Sequence, residues 1–275
     1  FNADRIVVGA DDEQAYKIIE KMYAPLKLPI VHVSVRSSEM TKYASNDFLA
    51  LKISYINEIA NFCEIVGADI EEVARGMGMD RRIGSNFLKA GIGYGGSCFP
   101  KDTKALNFQS DHAGVKLKTV KATIDVNREQ RTRLIDKARR FFPTFRDVRV
   151  AIIGLTFKPG TDDLREAPAK QNIDILLNEG ADIIAWDPLG AENFRKRYPN
   201  CAINFAKDID EALTDADVCL IMTEWEKIVE YPLDNYKKYM KRPLVFDGRN
   251  CYKLSEAEKH EIFYDSIGRK IVDTL

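Results

Sequence analysis

Arg149-Val150-Ala151-Ile152-Ile153-Gly154-Leu155 is an apolar, β-branched run closed by a glycine. Its apolar residues are consecutive rather than alternate, as a strand buried on both faces requires. Similar runs follow at residues 181–188, 202–205, 217–223 and 244–247. Helical segments separate most of them, one opening after Pro168. This alternation predicts a doubly wound, Rossmann-like parallel sheet with right-handed crossovers. Ligands in such sheets bind at the carboxyl ends of the strands.

The chain before this sheet reads differently. Residues 37–66 carry Met40, Tyr43, Phe48, Leu51, Tyr55, Ile59, Phe62 and Val66 at helical spacing. Ser38 is the expected cap, with Glu39 in the first turn. Further helices are predicted at 69–77, capped by Asp69, and at 103–114 and 122–142, while 143–147 reads as a hinge. The expected fold is therefore α/β, with an all-helical central layer followed by the parallel sheet. At the start, residues 5–10 and 30–35 read as strands, and Asp11-Asp12-Glu13 opens a helix between them. The first strand reads as the last strand of a sheet whose body lies upstream. That gives expected domains at 1–30, 31–145 and 146–275.

One loop carries chemistry: Gly91-Ile92-Gly93-Tyr94-Gly95-Gly96-Ser97-Cys98-Phe99-Pro100-Lys101-Asp102. Its glycines permit positive φ and close backbone approach to a ligand. Pro100 sits where a helix can begin. A thiol at a helix N-terminus and near a lysine has a stabilised thiolate. Asp102 follows about one turn later. The spacing Gly91, Gly93, Gly96 also fits G-x-G-x-x-G, but no strand precedes it and Pro100 breaks the helix that should follow. Nor does the loop after the first buried strand, from Gly154 to Glu166, have dinucleotide spacing.

Composition narrows the function classes. The 275 residues carry a net charge of −1, which gives no electrostatic case for nucleic acid or an anionic membrane. No apolar run is long enough to span a bilayer, and no signal peptide is visible. The five cysteines form no C-x-x-C, and the three histidines lie far apart, so neither a zinc site nor a disulfide framework is suggested. Reduced thiols in a cytoplasmic protein are the simplest reading.

Gly95-Gly96-Ser97-Cys98-Phe99-Pro100-Lys101-Asp102 resembles the catalytic cysteine motif of the UDP-glucose/GDP-mannose dehydrogenase family. Arg82-Ile83-Gly84 and Phe87-Leu88-Lys89-Ala90 resemble its substrate loop, and Lys42-Tyr43-Ala44-Ser45-Asn46 its helix with a catalytic lysine and asparagine. Ser97 and Phe99 favour the UDP-glucose branch over the N-acetyl-hexosamine and GDP-mannose branches.

The resemblance implies oxidation of UDP-glucose to UDP-glucuronate with NAD as cofactor. It implies Cys98, Lys42, Asn46 and Asp102 as catalytic residues. Lys42 and Asn46, four apart on one helix face, are groups suited to holding an oxyanion. Arg82, Phe87, Leu88, Lys89, Tyr94, Gly95, Phe157, Lys158 and Arg249 are implied as substrate contacts, with Arg82 reaching a neighbouring subunit's substrate. Arg165 and Lys101 are implied on the NAD side. It further implies a homodimer through the helical layer and a first segment that is the remnant of an NAD-binding domain, so that the chain alone is expected to be inactive. GDP-mannose or another UDP-sugar as substrate, and a non-catalytic UDP-sugar-binding module, are the alternatives.

Overall fold

A computed structural model describes residues 3–274; Phe1, Asn2 and Leu275, at the edges of the first and last expected domains, lie outside the described residues. The chain forms two compact units, 1–49 and 50–275.

The first unit is a β–α–β arrangement. Strand β1 (Ile6–Gly9) pairs in parallel with β2 (Ile30–Val33), Ile6 opposite Ile30. Helix α1 (Glu13–Tyr23) connects them, and the Asp12 carboxylate caps it by accepting from Gln14 N at 2.9 Å. The strand expected to be the last of its sheet therefore has a later strand, β2, beside it. Helix α2 (Val35–Val66) begins here and continues into the second unit. It starts earlier than expected. Ser34 Oγ accepts from Ser37 N at 3.3 Å, whereas Ser38 lies inside the helix and donates to Val35 O at 2.7 Å, so Ser38 is not the cap.

The second unit adds α3 (Ile70–Gly78), capped by Asp69 as predicted, then α4 (Phe99–His112), α5 (Lys118–Gln130) and α6 (Arg133–Ala138). The helix expected over 122–142 is thus broken. Arg131 O is taken by Asn172 Nδ2 at 2.8 Å, which interrupts the helical run. The expected hinge at 143–147 is instead pinned. Phe145 is fully buried, and its N–H donates to Glu179 Oε2 at 3.2 Å.

The sheet comprises β3 (Arg149–Ile153), β4 (Asp182–Trp186), β5 (Asn204–Phe205), β6 (Val218–Ile221), β7 (Leu244–Asp247) and β8 (Phe263–Ser266). All pairings are parallel, in the order β5-β4-β3-β6-β7-β8. The order reverses between β3 and β6, which makes the crevice beyond their carboxyl ends the favoured ligand site. Helices α7 (Pro168–Asn178), α8 (Gly190–Arg197), α9 (Ile209–Leu213), α10 (Glu226–Val229), α11 (Asp234–Tyr239) and α12 (Leu254–Lys259) complete the unit. Strand β5 is shorter than predicted, because Ile203 N closes a turn onto Cys201 O.

Both faces of the sheet are buried, as consecutive apolar residues require. Val150 and Ile152 point into a core shared with Ile56 and Ala60 of α2, Leu88, Ile92 and Leu134. Ala151 and Ile153 point into a second core with Trp225 and Tyr236. Helix α2 from residue 50 onward, α3 and α6 therefore share a core with one face of the sheet, and the other face has its own.

Strand β8 escaped the sequence reading because Asp265 interrupts its apolar run. That carboxylate is fully buried, and Lys137 Nζ of α6 meets it at 2.8 Å and Glu64 of α2 at 2.7 Å. Burial pushes the Asp265 carboxyl up, against the pull of Lys137 and Arg140. Removing one partner of a buried ion pair leaves the other charge uncompensated. Lys137→Met should therefore lower stability by about 3–5 kcal/mol, measured as a shift in the urea midpoint at constant slope; an unchanged midpoint would show that the network contributes little.

Candidate active site

The glycine loop is held from four sides. Gly91 N donates to Asn57 Oδ1 of α2 at 2.8 Å, and Gly91 O accepts from Gln130 Nε2 of α5 at 2.8 Å. Asn127 of α5 holds Tyr94 twice, accepting from its N–H at 2.8 Å and donating to its C=O at 3.2 Å. Ile92 N donates to Gly248 O at 3.0 Å, just after β7, and Gly96 N to Arg165 O at 2.8 Å, in the loop after β3.

The glycines are required by this packing. Gly96 has φ +81°, and a Cβ on Gly95 would stand 2.3 Å from Glu166 O. The close approach expected toward a ligand is made instead toward the chain's own backbone and the Phe157 ring.

Cys98 follows at the N-terminal end of α4, and Asp102 N closes the first turn onto Cys98 O at 2.9 Å. Of the five cysteines, Cys98 alone is exposed. Burial pushes up the thiols of Cys63, Cys201, Cys219 and Cys251. Asp102 is buried and ion-paired with Lys101. Glu166 ties the cysteine helix to the sheet, taking Lys104 Nζ and Arg131 Nη1 at 3.0 Å each. Burial works against the charge of Glu166, but these two cations hold its carboxyl below the ordinary value.

A cavity of about 340 Å³ opens beside this loop. It gathers Phe87, Lys89, Tyr94, Gly95, Phe157, Lys158 and Arg249, all expected as substrate contacts. Phe99, the residue after the cysteine, also lines it and meets Tyr94 edge-on at 5.8 Å. Two of its three cations come from strand ends, Lys158 after β3 and Arg249 after β7. Arg249 is fixed by Met222 O at 2.9 Å and Gly93 O at 3.1 Å, yet its Nη2 is buried without a hydrogen bond. Three cations and an aromatic wall suit an anionic nucleotide.

Other expected contacts lie elsewhere. The Leu88 side chain belongs to the hydrophobic core. Arg82 is exposed and paired with Asp80 at 2.6 Å. Arg165 is paired with Asp163 at 2.8 Å, which raises its pKa, and lies close enough to Cys98 to interact electrostatically. In the first unit, Lys42 lines a separate hollow of about 410 Å³ with Ser38 and Thr41, while Asn46 is buried.

Sequence reading missed Asn57, Asn127, Gln130 and Glu224. The amides carry no signal beyond ordinary helix polarity. Glu224, which lines the cavity, was accessible to the strand-end argument that selected Lys158 and Arg249, because it follows β6.

The second sheet does not fit a dinucleotide. Its first loop carries Gly154 pressed against Thr223, 2.6 Å from where a Cβ would stand, and α7 starts only at Pro168. Among the described residues no group of histidine, cysteine and carboxylate side chains is arranged to hold a metal. No helix among them is long and apolar enough to cross a membrane.

Profiles of the UDP-glucose/GDP-mannose dehydrogenase family match twice, the central domain over residues 36–129 and the UDP-binding domain over residues 151–254. The chain belongs to this family. It is 48% identical over 272 residues to a UDP-glucose 6-dehydrogenase of Bacillus subtilis, covering 99% of this chain and 62% of that one. A UDP-glucose 6-dehydrogenase of Rhizobium meliloti is 44% identical, with 97% and 62% covered. A solved UDP-glucose dehydrogenase of Pyrobaculum islandicum superposes with TM-score 0.89 at 32% identity, covering 98% of this chain and 60% of that one. The chain spans about three-fifths of the length of the curated relatives it matches. Within the family member described here, the loop depends on Asn127. Asn127→Ala strands a buried N–H and C=O, so it should cost about 1–3 kcal/mol for each group left unpaired; calorimetric unfolding checks this, and an unchanged Tm would deny the amide its role.

Proposed function

We propose that the whole protein oxidises UDP-glucose to UDP-glucuronate, and that this chain supplies the sugar-nucleotide site and the thiol. The observation that carries the reading is the cavity, where Lys89, Lys158 and Arg249 converge beside the start of the cysteine helix. In this reading Lys89 and Lys158 neutralise the diphosphate, Arg249 contacts the nucleotide, and Phe157 and Tyr94 flank it. The homologous UDP-glucose 6-dehydrogenases support the choice of substrate.

Two equivalents of NAD, bound in turn by the whole protein, would each supply the acceptor for one hydride; Arg165 and Lys101 are the residues here proposed to face that cofactor. The Cys98 thiolate adds to the C6 aldehyde and gives a thiohemiacetal. Lys42 and Asn46 are proposed as oxyanion donors, on their one-turn spacing within α2 and the family resemblance. Once C6 reaches the thioester level, water directed by Asp102 cleaves the C–S bond, releasing the carboxylate and restoring the thiol. Arg82 is proposed to act across subunits. A homodimer through α2 is supported by its exposed face, where Tyr55 and Phe62 are 48% and 59% accessible. The division at 1–30, 31–145 and 146–275, with the first part a remnant of an NAD-binding domain, stands as part of the same proposal.

Titration calorimetry on this chain should show UDP-glucose binding, with GDP-mannose at least about tenfold weaker. Arg249→Met should weaken UDP-glucose by about tenfold or more. Equal affinity for the two nucleotides would refute the substrate assignment. In the whole protein, Cys98→Ser should stop glucuronate release, since a serine hydroxyl is a far weaker nucleophile at neutral pH; turnover close to the unsubstituted rate would sink the covalent route.

A further inference from the structure

Two orphaned polar atoms share the cavity. Glu224 Oε2 is buried and accepts no hydrogen bond, and Arg249 Nη2 is buried and donates none. They belong to groups already in contact, since Arg249 Nε lies 3.4 Å from Glu224 Oε2. Buried charged atoms left without a hydrogen bond are costly even when, as here, their groups form an ion pair. The pair therefore points to a ligand group that both accepts and donates.

The chemistry is selective. An ionised phosphate oxygen only accepts, and a carboxylate repels it. A base edge answers the two atoms only with two separate groups, a ring N–H for Oε2 and a carbonyl for Nη2. A hydroxyl does both at one oxygen, donating its hydrogen while keeping lone pairs to accept. We propose that Glu224 is a specificity residue that reads a hydroxyl of the sugar nucleotide, Oε2 accepting its hydrogen while Arg249 Nη2 donates to its oxygen. Glu224 follows β6, across the switch point from Phe157 and Lys158 after β3, so it faces the crevice where a nucleotide enters. The proposal rests on the sugar-nucleotide reading above. Two hydroxyl sources share this chemistry, the ribose and the hexose.

The test titrates the chain with UDP, 2′-deoxy-UDP, 3′-deoxy-UDP and UDP-glucose, before and after Glu224→Ala. If the ribose is read, one deoxy analogue binds the unsubstituted chain about tenfold or more weaker than UDP, and Glu224→Ala brings the two within about twofold. If the hexose is read, the deoxy analogues bind like UDP, and Glu224→Ala removes the extra affinity of UDP-glucose over UDP. Either result supports the proposal. Affinity ratios identical before and after substitution overturn it, while leaving the nucleotide reading intact. Failure of the unsubstituted chain to bind any of the four ligands overturns that reading itself. Should the alanine variant not fold, Glu224→Gln keeps an acceptor oxygen without the charge, and the same ratios must narrow in it.

Discussion

A single buried carboxylate organises the carboxyl end of the sheet. Asp187 follows β4 and accepts from Leu155 N at 2.7 Å, Thr156 N at 3.2 Å and Trp225 Nε1 at 3.1 Å through one oxygen. Its other oxygen takes Leu189 N at 3.0 Å and Gly190 N at 2.6 Å. The loops after β3, β4 and β6 are thereby joined at one point. Phe157 and Lys158 leave one of these loops and Glu224 another. A buried charge is tolerated only when its lone pairs are satisfied, and here that requirement fixes three loops together. Asp247 does the same after β7, accepting from Arg249 N at 2.7 Å, Cys251 N at 2.6 Å and the Tyr264 hydroxyl at 2.7 Å.

Against this fixed edge the glycine loop is clamped. Its backbone groups are answered by side-chain amides of α2 and α5 on one side and by the strand-end loops on the other. A buried loop must satisfy its N–H and C=O groups somewhere, and helix amides supply what a ladder does not. Cys98 is exposed at the end of this clamped segment while the other thiols are buried or half-buried. The site is therefore borne by elements of the shared core, which suits chemistry that needs fixed geometry.

The buried network of Glu64, Lys137 and Asp265 plays a different part. It joins α2, α6 and β8 through charges that burial alone disfavours. Removing one partner would leave the others as uncompensated buried charge, so the three elements meet together. The network holds α2, which carries Asn57, and α6 against the last strand, and so bears on the loop from a distance.

Much of this was legible in the chain itself. Consecutive β-branched residues such as Val150 to Ile153 determine strands buried on both faces, because each residue carries its preference locally. Pro100 and Asp69 set helix starts for the same reason, and an eight-residue motif around Cys98 identified the family. What only the tertiary structure decided are the pairings between distant polar groups. Asp265 hid β8 because a carboxylate reads as a surface residue until Lys137 is beside it. The helix break at Arg131 depends on Asn172 taking its carbonyl. Asn57, Asn127 and Gln130 look like solvated helix positions until the loop arrives with unpaired backbone groups. Asp187 read as a strand end, and its donors come from three separate loops. Local sequence determines which way a segment folds; the partner of a buried polar group lies far along the chain, and only packing brings the two together.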